Sequence, residues 1–70
     1  MTRDDVRLAR KELNATRVQF AAWVGVSRRT VERWESGFVP PNRSAVQTIK
    51  LLLERHRRSI PVETSMAYSV

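Results

Sequence analysis

Gly25 and Gly37 are the two glycines of this chain, and each stands where a short helix has to stop. Glycine takes the left-handed conformation of a helix C-terminus at little steric cost. A matching start precedes each stop. Thr16 followed by Gln19 has capping-box spacing, and the Ser27 hydroxyl can accept from an orphan N–H of the next turn. Between Thr16 and Gly25, Phe20, Ala21 and Val24 form an i, i+1, i+4 apolar stripe. Between Ser27 and Gly37, Val31 and Trp34 share one side at about 100° per residue, with Thr30 beside them and Phe38 just beyond.

The order is therefore helix, a three-residue turn containing glycine, then helix, with Val26 as a plug under the turn. This is the helix-turn-helix unit. Ala21 suits it, because two helices that cross closely leave no room for a larger side chain. The second helix has an open face as well, made of Arg28, Arg29, Glu32, Arg33 and Ser36. Two arginines in a first turn oppose the helix dipole at a cost of roughly 0.3–1 kcal/mol each. A local rule broken in this way often marks a functional surface. The alternative is an ordinary exposed i,i+4 pair between Arg28 and Glu32.

Thirteen basic against seven acidic side chains give a net charge of +6, and eleven of the basic residues are arginine. Arginine forks onto phosphate and guanine edges. A basic balance suits DNA, RNA or an anionic membrane without choosing among them. Seventy residues make one domain with a marginal core that a partner chain would help. With no cysteine there are no disulfides or thiolate metal sites, which fits a reducing cytosol. The apolar runs are too short to span a membrane, and Met1–Asp5 does not resemble a signal peptide. His56 stands alone, Asp4 and Asp5 serve a helix dipole, and no serine has an evident base, so neither an enzyme, a cofactor nor a metal is expected.

A first helix should open at Thr2, with Asp5 three residues on, and place Val6, Ala9, Arg10 and Leu13 on one face. Arg10 on that stripe reads as a snorkelling side chain with an exposed head. Asn14–Ala15 forms the next corner. Pro40 and Pro41 hold an extended connector, with Asn42 or Ser44 as the following N-cap. Helix four is expected to reach about Arg57, with Val46, Ile49, Leu52 and Leu53 inward and Lys50, Arg55, Arg57 and Arg58 flanking them. From residue 59 the pattern changes. Ile60, Val62, Thr64, Met66, Tyr68 and Val70 alternate with smaller or polar residues, a period of two that predicts a strand with Pro61 near its start. That strand would pair with a second copy across a two-fold axis; otherwise the segment is a disordered tail. The expected division is a domain over 1–58 and a tail over 59–70. Trp23 lies off the Phe20/Val24 stripe and is either half-buried under a later segment or part of a subunit interface.

Residues 16–37, through Phe20-Ala21, Gly25-Val26-Ser27, Thr30-Val31 and Trp34-Glu35-x-Gly37, resemble the helix-turn-helix family of phage lambda/434 repressor and Cro and the small antitoxin-type regulators within it. The resemblance implies an all-α, four-helix domain, here with a C-terminal strand or extended tail. It implies an ion pair between Arg10 and Glu35, the sharper alternative to a snorkelling Arg10. It puts the helix after Ser27 in the major groove, where Arg28, Arg29, Glu32 and Arg33 would read bases, Arg28 and Arg29 foremost. Arg17, Ser27 and Arg43, with Arg10 or Lys11, would meet phosphates. Arg17 departs from the glutamine common in the family, which keeps the phosphate role and weakens any buttressing of a base-reading side chain. Trp23, Ile60, Val62, Met66, Tyr68 and Val70 are the expected dimer contacts. The implied function is a cytoplasmic repressor of bacterial or phage origin, binding double-stranded DNA at an inverted repeat as a homodimer. The alternative is an antitoxin-like or accessory protein whose main role is to bind a partner protein. RNA binding lacks the aromatic stacking platform that single-strand readers use.

Overall fold

The computed structural model describes the backbone of residues 1–69 and the side chains of residues 1–59. It has four helices: α1 (Arg3–Glu12), α2 (Arg17–Val24), α3 (Arg28–Ser36) and α4 (Arg43–Ser69). The first three start where their hydroxyl caps stand. Thr2 and Thr16 close reciprocal capping boxes with Asp5 and Gln19, and Ser27 accepts from the Thr30 N–H at 3.2 Å. Asn42 caps α4 by accepting from the Ala45 N–H at 2.8 Å, which decides between the two candidates there. Gly25 and Gly37 end α2 and α3 at φ of 87° and 82°, in the left-handed region. Asn14 supports the corner between α1 and α2 at φ 53°, a conformation asparagine tolerates better than most residues.

Each helix sends one fully buried side chain into a common centre: Val6 from α1, Phe20 from α2, Val31 from α3 and Ile49 from α4. Ala9, Ala15, Ala21, Trp34 and Ala45 fill the space between them, with Leu13, Val24, Val26 and Leu53 packed at the edge. Small residues at 9, 21 and 45 let the helices approach, and α2 and α3 pack against each other most extensively. On α4 the buried line is Ala45 and Ile49, while Val46 and Leu52 lie half-buried beside it. Arg57 forks onto Glu12 at 2.6 and 3.0 Å, tying the middle of α4 to the end of α1.

Two expectations change. Phe38 does not extend the apolar side of α3; it is 74% exposed. Where a strand was expected from residue 59, the described backbone is helix, since α4 continues past Arg57, across the boundary at residue 58, as far as Ser69. The physical reason is local. Extending an established helix needs only propagation, without a second nucleation step. The dimer contacts expected of Ile60, Val62, Met66, Tyr68 and Val70 lie outside the described side chains.

Candidate nucleic-acid interface

The sequence places polar and apolar residues of α3 at helical spacing, and packing then divides them sharply. Val31 and Trp34 are buried against the core, and Glu35 joins them with 2% of its surface exposed. Arg28, Arg29, Arg33 and Ser36 face outward, with Glu32 partly covered between them. Ser27 holds the start of the helix in place, its hydroxyl 3.0 Å from that of Thr30. The two leading arginines thus stand on a fixed first turn, with Arg28 paired to Glu32 at 3.0 Å. Among the described residues, Arg29 and Arg33 have no ion-pair partner.

The inner edge of this surface is an arginine cluster built on one carboxylate. Arg10 donates from Nε to Glu35 Oε2 at 2.7 Å and from Nη2 to Oε1 at 3.3 Å. Its Nη1 donates to the Ala15 carbonyl at 3.1 Å, which fastens the α1–α2 corner to the same group. Arg17, the first residue of α2, adds a third bond to the carboxylate, from Nε to Oε1 at 3.1 Å. Burial pushes the Glu35 carboxyl up, but the hydrogen bonds and charges of Arg10 and then Arg17 outweigh it and hold the group below the usual carboxylate range. Every buried side-chain polar atom among the described residues has a partner.

These placements sort the candidates. Arg10 donates inside the domain to Glu35 and Ala15, and 17% of its side chain stays exposed. Arg17 stays half exposed while holding Glu35, so its outer edge still faces solvent. Arg7, Arg10, Arg17 and Arg28 line one open cleft of about 710 Å³ with Glu32, Glu35 and Ser36. Arg29, Arg33 and Phe38 line a second, of about 360 Å³, on the other flank of Glu32 and Ser36. Arg43 is exposed at the first position of α4. Lys11 is exposed and borders both the groove between α1 and α4 and the α1–α2 corner beside Arg10 and Thr16. Trp23 is 47% exposed, with part of its ring in solvent.

Two members of the surface escape a reading of the sequence. The Arg17–Glu35 bond depends on how α2 crosses α3; its one sequence-level sign is a cation opening a helix with no acidic residue in its first turn. The other is Phe38, whose position follows from the end of α3. The Phe38 N–H donates to the Arg33 carbonyl at 3.0 Å and the Gly37 N–H to the Trp34 carbonyl at 3.2 Å, the bonds of a Schellman motif. That motif lays the residue after glycine over the residue five before it. Here it sets the Arg33 guanidinium 5.8 Å from the centre of the Phe38 ring, a cation–π contact on the open face.

Among the described residues no group of three or more His, Asp or Glu side chains could hold a metal ion, and no helix is long and apolar enough to cross a membrane. A capped helix pair whose second member buries one face and offers arginines on the other is the architecture of a helix-turn-helix DNA-binding regulator. Residues 4–58 match the family described as Helix-turn-helix domain, and the chain belongs to that family. It is also 37% identical over 57 residues to Antitoxin HigA-2 of Vibrio cholerae serotype O1, an alignment covering 81% of this chain. The chain spans about half, 54%, of that relative's length. No solved structure matches significantly.

Proposed function

We propose that the protein is a sequence-specific regulator of transcription, a repressor that binds an inverted-repeat operator in double-stranded DNA as a homodimer in the cytoplasm. The observation that carries this is the division of α3. Val31, Trp34 and Glu35 are buried while Arg28, Arg29 and Arg33 stand outward on a capped, rigid first turn and its successor. Arginine in that position forks onto guanine O6 and N7 in the major groove, and Glu32 can accept from cytosine N4. Arg17, Ser27 and Arg43 supply phosphate contacts that position the domain without specifying sequence. The domain over 1–58 carries the DNA surface, and Trp23 is a candidate for the dimer contact. A two-fold pair would set its recognition helices about 34–36 Å apart, one helical turn of DNA.

A second reading is favoured by the likeness to Antitoxin HigA-2. In it the chain is antitoxin-like, binds a partner protein, with the exposed part of Trp23 as the candidate contact, and uses DNA binding for its own regulation. One experiment separates the two. Selection from a random-sequence duplex library at physiological salt should enrich an inverted repeat with half-sites one turn apart. Salt-sensitive binding with no enriched sequence would leave a basic domain on phosphate and make the protein partner the main function.

A further inference from the structure

The open face of α3 carries one group that arginine chemistry does not explain. Phe38 is 74% exposed, yet it is held on two sides. Its backbone is fixed by the bond from its N–H to the Arg33 carbonyl, and its ring lies under the Arg33 guanidinium. A lone exposed phenylalanine needs no function. This one is an oriented apolar plate in a concavity otherwise lined by Arg29, Glu32, Arg33 and Ser36. Gly37 reinforces the placement. Its φ of 82° is in the left-handed region that ends the helix and sets the turn into Phe38.

A ligand that fits must bring a small apolar group beside hydrogen-bond acceptors and negative charge. The major-groove edge of thymine does so, with its C5-methyl next to O4 and with phosphates and neighbouring purine acceptors around it. Resting on the DNA-binding function proposed above, we infer that Phe38 is a specificity-determining residue that packs on a thymine methyl group. Arg33, in cation–π contact with the ring, offers its guanidinium to the acceptors of an adjacent guanine. The two side chains together read a T·A pair next to a G·C pair in each half-site.

The test uses the full chain and the operator recovered by selection. Each thymine in a half-site is replaced in turn by deoxyuridine, which removes the methyl group and nothing else. At one thymine per half-site the wild-type affinity should fall roughly five-fold, the low end of the cost of one mismatched base pair. Phe38→Ala should lose about the same five-fold on the thymine site and bind the thymine and deoxyuridine sites equally. Because the ring is exposed, the variant should melt as the wild type does. If Phe38→Ala keeps the full sensitivity to the methyl group, or binds the operator as tightly as wild type, the assignment is overturned. If the wild type selects no sequence at all, the DNA-reading function fails together with this inference; an operator with no Phe38 effect sinks the inference alone.

Discussion

Glu32 and Glu35 stand three residues apart on α3 and both bond arginine, yet they occupy opposite electrostatic settings. The Glu35 side chain is 3% exposed and takes three bonds from two arginines that come from α1 and α2. Glu32 is 44% exposed and bonds Arg28 on its own helix, in reach of water. The first arrangement joins three helices; the second pairs two neighbours on the exposed face of one helix. Coulomb attraction is screened where solvent reaches it and strong where it does not, so burial decides which carboxylate supports the fold.

The sharpest way to break this contrast is to remove Glu35. Glu35→Ala leaves Arg10 largely buried without its counter-charge and should cost about 3 kcal/mol, read by chemical denaturation. In a domain this small each kcal/mol lowers the melting temperature by roughly 4–8 °C. An unchanged melting temperature would mean that the cluster does not hold the helices together. Acid should sharpen the same point. The folded Glu35 carboxyl lies below its unfolded range, so its stabilisation is complete above about pH 4.3 and is lost as pH falls through the folded value. Glu35→Gln should therefore weaken the pH dependence of stability below pH 5, measured by denaturation at a series of pH values.

On the outward side the large effects move from stability to DNA. Arg29→Ala should cost roughly 1–3 kcal/mol on the selected operator and relax preference at one position, with unfolding unaffected. Arg43→Ala should weaken binding to all sequences alike and reduce the slope of log affinity against log salt by about one. The roles are assigned wrongly if Arg43→Ala shifts sequence preference and Arg29→Ala does not. The smallest effect belongs to Arg28 and Glu32. A double-mutant cycle on thermal stability should give a coupling of no more than about 0.5 kcal/mol.

The resemblance of the helix-turn-helix residues led to the joining of Arg10 and Glu35, but it did not lead to Arg17 as the second arginine on that carboxylate. Arg17 reaches Glu35 because of where α2 crosses α3, a distance that no spacing along the chain encodes. The same holds for the bond from Arg10 to the Ala15 carbonyl, which joins the α1–α2 corner to the same cluster.

What the sequence by itself determined were the ends of the helix-turn-helix pair, the start of α1 and the inward faces. Thr2, Thr16 and Ser27 start helices, Gly25 and Gly37 stop them, and Val6, Phe20, Val31 and Ile49 mark their buried sides. Caps bond atoms three or four residues away and apolar periodicity repeats every turn, so both are written in neighbouring residues. Tertiary structure decided which charges are shared. It put Arg17 with Arg10 on Glu35, left Arg29 and Arg33 unpaired among the described residues, and let the turn after α3 carry Phe38 outward over Arg33. Those outcomes depend on the approach of groups from different helices and on what burial does to a charge, and only the assembled fold fixes either.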